Sequence, residues 1–168
     1  MPKSGTILLA DADVLIDYIK SDFSILGLVA RYTAPVYVLQ EILVTVDGLS
    51  KTLCRHHGIK VIETDTELIL TAGGKGGAMS PEDWLCYLQC ERNGWVCVTN
   101  DKALIRTCRE NDIACRRGLR LMIDLVGSGH ISKAKAKRVA IAIHQINSGH
   151  INQRVLDEFL DEILDEIG

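Results

Sequence analysis

Short apolar runs alternate with segments of helical periodicity along the chain. Five runs predict β-strands, at residues 7–10, 35–39, 59–62, 95–99 and 113–115. Most of them are apolar at consecutive positions, which is typical of strands buried on both faces of a parallel sheet. Because helical segments separate them, the pattern predicts an α/β fold with three α/β/α layers and a central, mainly parallel five-stranded sheet.

Polar residues with capping chemistry mark where the intervening helices begin. The predicted helices cover residues 14–20, 22 or 24 to 32, 40–46, 51–57, 66–72, 80–93, 102–111, 119–126, 132–147 and 153–167. Asp13 is the expected N-cap of the first helix, and Asn100 that of the helix from residue 102. Ser80, followed by Pro81 and by an acid at position 83, is the strongest start signal in the chain and predicts a capping box.

A glycine-containing break at residues 127–129 separates the predicted sheet from a helical tail. We expect residues 1–126 to form the α/β domain and residues 127–168 to form a C-terminal helical extension packed on the same domain. The last helix has apolar residues on one face and six carboxylates on the other, so its apolar stripe predicts packing against the parent domain. A second glycine-rich run, at residues 73–77, predicts a flexible linker.

The net charge of −3 conceals an uneven distribution of charge. Residues 102–138 hold ten Lys and Arg against three acids, which gives this basic segment a charge of +7. A basic surface on an acidic protein is typical of a site for a polyanionic partner, although solvated helix faces explain the same pattern. Because the acidic face of the last helix is attracted to the basic segment, we hypothesise that this helix partly screens the surface that would bind a polyanion.

The composition favours a soluble globular protein. The chain has 168 residues, of which 47% are apolar and 24% charged. Its first five residues are too short and polar for a signal peptide, and no apolar stretch is long enough to span a bilayer. We therefore expect a cytoplasmic protein without a membrane partner. The six cysteines form no CxxC pair, which predicts reduced core thiols.

Four acids lie where predicted helices begin. Asp11 and Asp101 come directly after strands, and Glu41 and Asp83 lie in first turns of helices. In a parallel sheet the strand-to-helix junctions open on the same edge, where ligands bind in α/β proteins. Each acid alone is explained by a helix N-terminus, but four carboxylates together repel one another unless a hard cation neutralises them. Since no His or Cys joins the set, Mg²⁺ or Mn²⁺ fits better than zinc.

The segments that carry these acids resemble those of the PIN-domain nucleases, and within them the small VapC-like ribonucleases. The resemblance rests on residues 9–16 (LADADVLI), Glu41, residues 80–83 (SPED) and above all residues 98–104 (VTNDKAL). It covers roughly residues 5–125 and the order of the elements. The chain departs from the family in having Ala12 and Asp13 where Thr and Asn are common. The segment around Asp83 is also less typical.

This resemblance implies a metal-dependent endoribonuclease that hydrolyses phosphodiester bonds in RNA. The catalytic and metal-binding residues that it implies are Asp11, Glu41, Asp83 and Asp101, with Mg²⁺ or Mn²⁺ as the cofactor. The supporting residues are Asp13, Thr99 and Asn100. Lysines and arginines of the basic segment and the glycine run are candidate RNA contacts: Lys75, Lys102, Arg106, Arg116 and Arg117. Besides RNA, candidate partners are a second copy of the chain and an antitoxin protein, in which case the protein is the toxin of a toxin-antitoxin pair.

Two other functions fit parts of the pattern. A catalytically silent PIN-like RNA-binding or scaffold protein would keep the fold and cut nothing, but the presence of all four acids argues against it. Asp11 and Asp13 also have the spacing of the nucleophile and acid of an aspartyl-phosphate phosphatase of the haloacid dehalogenase type. Leu15 replaces the Thr or Val expected there, and no later paired-aspartate motif follows. The ribonuclease is the function that accounts for all four acids.

Overall fold

The computed structural model describes residues 6–165 of the chain. Within them, five short strands form one all-parallel sheet: β1 (Leu8–Ala10), β2 (Val36–Leu39), β3 (Lys60–Ile62), β4 (Val96–Val98) and β5 (Cys115–Arg116). Their order across the sheet is β3-β2-β1-β4-β5. The predicted α/β fold with a parallel five-stranded sheet is therefore confirmed. β5 begins later than predicted because Cys115 and Arg116 are the residues that pair with β4.

The helices of the described residues cover the sheet. They are α1 (Ala12–Lys20), α2 (Ser24–Tyr32), α3 (Gln40–Leu43), α4 (Lys51–His56), α5 (Thr66–Gly74), α6 (Pro81–Asn93), α7 (Lys102–Glu110), α8 (Arg120–Gly127), α9 (Lys133–Ile146) and α10 (Gln153–Asp165). α6 packs on β1 and β4, whereas α1 packs on α2 and α9. Over residues 6–165, no helix combines the length and the apolar character needed to cross a membrane.

The central strand β1 lies in the core of the protein. All three of its residues are buried, which matches the consecutive apolar positions of its sequence. α1 follows it directly and turns Val14, Leu15 and Tyr18 into the core. A short strand and the helix after it therefore hold the first strand-to-helix junction in a fixed position.

Two helix caps differ from the sequence-based expectation. Asp11, and not Asp13, is the N-cap of α1, where its side chain accepts a hydrogen bond from the amide three residues on at 3.2 Å. Asp101, and not Asn100, is the N-cap of α7, with the same bond at 2.9 Å. Both acids have extended backbone angles and are the last such residues before a helix, which is the geometry of an N-cap.

The remaining start signals are partly confirmed. Ser80 and Asp83 form the predicted capping box at the start of α6. α5 extends through Gly74, so the predicted linker begins two residues later than expected. Asp65 occupies the N-cap position of α5 without a side-chain cap bond, and its carboxylate instead pairs with Arg92 at 2.6 Å.

The last helix, α10, lies against α8 and α9. Leu156, Phe159 and Ile163 of its apolar stripe are buried. On its acidic face, Glu162 forms an ion pair with Arg120 of α8 at 2.7 Å. The apolar and the acidic side of this helix therefore both contact the chain's own helices.

Candidate metal centre

The acids of the first and fourth strands meet at a special point of the sheet. After β1 the chain forms β2 and β3 on one side, and it then crosses to the other side of β1 to form β4. β1 and β4 are neighbours, with Leu9 opposite Cys97 and Ala10 opposite Val98. The crevice at their carboxyl ends is thus the topological switch point, where ligands bind in open α/β sheets.

Asp11 lies at the bottom of this crevice and is 1% exposed. Its Oδ2 accepts a hydrogen bond from the hydroxyl of Thr99, whose Oγ1 in turn accepts one from the amide of Asp101 at 3.0 Å. Burial raises the pKa of Asp11 to about 8, and the neighbouring Asp13 and Asp83 also raise it, against the hydrogen bond from Thr99. Thr99 therefore links the acids that follow β1 and β4.

Three partly buried side chains lie together at the crevice. Asp13, Asp101 and His150 each offer a ligand atom, and these atoms all lie within 4.8 Å of one another. His150 Nε2 is 3.7 Å from Asp13 Oδ2. Burial raises the pKa of Asp13 and Asp101 raises it further, while His150 lowers it. We call Asp11, Asp13, Asp83, Asp101 and His150 the acidic centre.

Asp83 belongs to the acidic centre through the first turn of α6. Its Oδ2 accepts a hydrogen bond from the Ser80 amide at 3.3 Å, and its own amide donates to Ser80 Oγ at 3.1 Å. Burial raises the pKa of Asp83, and the nearby Asp101 and Asp13 raise it further. The capping box engages Oδ2 of Asp83 and not Oδ1.

Among the predicted site residues, Glu41 forms its hydrogen bonds outside the acidic centre. Its Oε1 accepts a hydrogen bond from the amide of Thr64 at 3.3 Å, and its Oε2 accepts one from the hydroxyl of Thr64 at 3.1 Å. Thr64 follows β3 and is 8% exposed, and Gln89 of α6 donates to the same hydroxyl at 3.4 Å. The carboxylate of Glu41 therefore bridges the ends of β2 and β3.

A second layer of polar residues lies behind the acidic centre. Asp17, one turn after Asp13 on α1, is 2% exposed. It accepts hydrogen bonds from Asn100 Nδ2 at 3.2 Å and from Asn147 Nδ2 at 3.0 Å. Burial raises the pKa of Asp17 to about 6, although both amides lower it. Asn100 also accepts a bond from the Gly118 amide at 2.9 Å, so it connects β4, α1 and the turn after β5.

The turn at Gly118 is packed so closely that a side chain would fit only if its neighbours moved. A Cβ at this position would lie 3.2 Å from Asn100 Nδ2 and 3.2 Å from Val14 Cγ2. The Gly118 carbonyl accepts a hydrogen bond from the hydroxyl of Tyr18 at 2.7 Å. Glycine therefore allows the close packing that fixes the orientation of Asn100.

Sequence reasoning missed Asp17 and His150. The sequence could have identified Asp17, because it is an acid in an apolar helical segment and lies four residues after Asp13, on the same helix face. No sequence pattern around His150 predicts it as a site residue. It lies in the α9–α10 connection and reaches the crevice through the packing of α9 on α1. The expectation that no histidine joins the acid set is wrong.

The candidate RNA contacts lie at several places around the crevice. Lys102 and Arg106 are exposed on α7, whose N-cap is Asp101. Lys75 Nζ lies 4.7 Å from the ring centroid of Trp84, the residue after Asp83. Arg116 is the last residue of β5 and Arg117 follows it, and both are partly buried.

The donor set of the acidic centre fits a divalent cation. Carboxylate oxygens are preferred ligands of Mg²⁺ and Mn²⁺, and an imidazole nitrogen is better suited to Mn²⁺ and later transition metals than to Mg²⁺. Burial raises the pKa values of Asp11, Asp13 and Asp83, and neighbouring carboxylates raise them further, so the protein alone disfavours their charged forms. A cation at the crevice would stabilise those charged forms.

Neither a scan of the chain against protein-family models nor a search among curated proteins gives a match.

Proposed function

We propose that the protein is a divalent-metal-dependent endoribonuclease that hydrolyses phosphodiester bonds in single-stranded RNA. The observation that carries the proposal is the clustering of four carboxylates at the switch point of the sheet. Acids that serve only as caps or in ion pairs have lowered pKa values, because their partners favour the charged form. Burial and mutual repulsion have the opposite effect on Asp11, Asp13 and Asp83.

The geometry supports separate roles within the acidic centre. Asp13, Asp101 and His150 have ligand atoms close enough to hold one ion together. Asp11 lies beneath them, where its charge attracts the ion, and Thr99 fixes its position relative to Asp101. When bound, Mg²⁺ or Mn²⁺ supplies the Lewis acidity that polarises the phosphate and makes water a better nucleophile.

Asp83 is suited to orient the attacking water. The capping box holds its side chain through Oδ2 and does not use Oδ1. Its raised pKa makes it a better proton acceptor than an exposed carboxylate. Lys102 follows Asp101 directly, and Arg106 comes four residues later on the same helix. Both are exposed, so they are suited to contact phosphates that flank the scissile bond.

One observation favours a catalytically silent RNA-binding or scaffold protein instead. Glu41 is bonded to Thr64, so the acidic centre lacks one carboxylate of the set that the PIN resemblance implies. The phosphatase alternative has less support, because Asp11 would have to attack phosphorus directly. Asp11 is 1% exposed, and hydrogen bonds from Val14 and Thr99 occupy its two oxygens.

Cleavage of a labelled single-stranded RNA tests the proposal. We expect the purified protein to cut the RNA with Mn²⁺ or Mg²⁺ and to be inactive in EDTA. Asp101→Asn removes a carboxylate of the acidic centre and should lower the cleavage rate by about two orders of magnitude or more, since loss of residues that only support metal ligands already costs about 10–100-fold.

Asp65→Asn is the matched control for that experiment. Asp65 is an exposed acid that pairs with Arg92 outside the acidic centre, so the same change of charge should leave cleavage intact. Equal cleavage by the wild type and Asp101→Asn would contradict the proposal. A wild type that binds RNA and cuts nothing with either metal would favour the silent alternative.

A further inference from the structure

A cavity of about 320 Å³ lies next to the acidic centre, between the end of β5, the start of α8 and α10. Its charged lining includes four arginines: Arg109, Arg116, Arg117 and Arg120. Asn100 lines it as well, and the neighbours of Asn100 in the chain are Thr99 and Asp101. The volume falls at the lower end of the range of about 300–1,000 Å³ that is typical of small-molecule sites. We call it the arginine cavity.

Half of the arginines in this lining have carboxylate partners. Arg116 pairs with Asp124, and Arg120 pairs with Glu162 at 2.7 Å. Glu158, the other acid of the lining, is paired within α10 at 3.7 Å. The two glutamates of α10 are therefore both engaged, and they do not neutralise the other arginines.

Arg109 and Arg117 carry the uncompensated charge of the cavity. Among residues 6–165, neither guanidinium has a carboxylate oxygen within 4.0 Å. Both act on Cys115, which also lines the cavity: burial raises the pKa of this thiol, and the two guanidinium groups lower it. Two guanidinium groups that line one cavity and act on the same thiol are suited to bind a phosphate, which arginine binds through paired hydrogen bonds.

Apolar residues complete the lining: Leu119, Ile123, Ile151, Val155 and Phe159. Val155 is partly exposed, and the other four are largely buried. An inorganic phosphate would leave this apolar surface uncovered. A ligand that places an anion on the arginines and a flat, weakly polar group on the apolar surface fits the whole lining, and a nucleotide has this chemistry.

We propose that the arginine cavity binds one nucleotide of the substrate RNA, with its phosphate at Arg109 and Arg117 and its base against the apolar lining. The assignment to RNA rests on the proposed ribonuclease function. It makes α10 one wall of the substrate site, so that the C-terminal extension contributes to RNA binding. A free nucleoside monophosphate has the same chemistry, and the experiment must distinguish the two sources.

Alkylation of Cys115 reports directly on whether the cavity is occupied. Cys115 is partly exposed, whereas the other five cysteines are buried. In the full-length protein in EDTA, a thiol reagent should therefore modify Cys115 first, and peptide mass spectrometry measures the rate. We expect a short single-stranded RNA to slow this alkylation, and to do so at lower concentration than AMP.

Two cavity variants and one control locate the binding site. Arg117→Gln and Arg109→Gln should each raise the RNA concentration needed for protection about tenfold or more, since a hydrogen bond to a charged group contributes about 1.5–3 kcal/mol. Arg55→Gln makes the same change at an exposed position of α4, outside both the cavity and the basic segment, and should leave protection unchanged. Rates with and without RNA are compared within each variant, because the arginines also affect the thiol itself.

Each outcome decides the proposal. Equal protection in Arg117→Gln, Arg109→Gln and Arg55→Gln would overturn it, as would the absence of protection by RNA in the wild type. Protection by AMP but not by RNA would assign the cavity to a free nucleotide and overturn the RNA assignment. Because no metal is present, a protein that shows protection and yet never cuts RNA would contradict the ribonuclease function and leave the cavity proposal standing.

Discussion

Acids follow two neighbouring strands of the sheet, and their surroundings differ. At the end of β1, Asp11 and Asp13 share a crevice with two more carboxylates, and burial and repulsion raise their pKa values. At the end of β2, Glu41 accepts two hydrogen bonds from Thr64. Both places lie on the same edge of the sheet. At the β2 end, hydrogen bonds from Thr64 stabilise the carboxylate of Glu41, whereas the acids at the β1 end lie close to other carboxylates.

The difference shows that the position of an acid at a strand end is not enough to define a metal site. What distinguishes the β1–β4 crevice is the crossing of the chain at the switch point, which brings acids of separate segments together. Glu41 would join them only by giving up its bonds to Thr64. The variants below therefore compare the two strand ends.

The largest effect is expected for Asp11→Asn. The substitution should abolish metal-dependent cleavage, because it removes negative charge beneath the ion. It should also raise the free energy of unfolding of the metal-free protein at neutral pH, by about 1 kcal/mol or more, because Asn avoids burying an ionisable group whose pKa is about 8. Urea denaturation in EDTA measures this. A strongly destabilised Asp11→Asn would show that the carboxylate is structural.

A large effect is also expected from pH. The fold raises the pKa of Asp11 to about 8 and that of Asp17 to about 6, so it favours their protonated forms. The stability that this gives is fully present below about pH 4 and is lost as the pH rises through 6 and then 8, by at most about 1.4 kcal/mol per pH unit for each group. Thermal melts in EDTA should therefore show a falling melting temperature from pH 5 to pH 8. A double variant, Asp11→Asn with Asp17→Asn, should flatten the profile, and a wild-type melting temperature that rises over this range would contradict the account.

A smaller effect is expected for Glu41→Gln. The variant loses an acceptor for Thr64, which should cost about 1 kcal/mol of unfolding free energy. Its Mn²⁺ affinity, measured by titration calorimetry, should stay much closer to the wild type than that of Asp101→Asn. If the two variants lose Mn²⁺ binding equally, Glu41 leaves Thr64 to join the ion, and the contrast between the strand ends is wrong.

The smallest effect is expected for His150→Ala. An imidazole nitrogen contributes more to the binding of Mn²⁺ than to that of Mg²⁺. The variant should therefore weaken Mn²⁺ binding and leave Mg²⁺ binding nearly unchanged, as seen in titrations with each metal. An equal loss for both metals would mean that His150 acts through the position of Asp13, which lies 3.7 Å away.

The comparison also shows how far sequence reasoning reaches. Apolar runs and capping signals predicted the parallel sheet and most helices, because burial and local capping decide those elements. Asp11 and Asp13 are both good cap residues, and the sequence-based choice of Asp13 was wrong. The choice depends on the sheet: the Asp11 amide still donates to the Val98 carbonyl of β4 at 3.0 Å, so the helix begins after it.

Long-range contacts limited the prediction of the site. The partner of Glu41 is Thr64, 23 residues away, and nothing near Glu41 in the sequence indicates it. Asn147 and His150 reach the crevice from the helical extension, through the packing of α9 on α1.

The same extension forms one wall of the arginine cavity, where our proposal predicts that α10 strengthens RNA binding. The screening hypothesis predicts the opposite, although the Arg120–Glu162 pair agrees with it for one arginine.

The most direct test of the central claim is the effect of Mn²⁺ on the melting temperatures of the wild type and of Asp101→Asn. An ion that binds only the folded acidic centre stabilises it by about 2.7 kcal/mol at a hundredfold excess over Kd, which is a rise of roughly 5–10 °C for a chain of this size. We predict this rise for the wild type and for Glu41→Gln, and its loss in Asp101→Asn. An unchanged wild-type melting temperature at millimolar Mn²⁺, or an equal rise in Asp101→Asn, would contradict the assignment of a metal centre to the β1–β4 crevice.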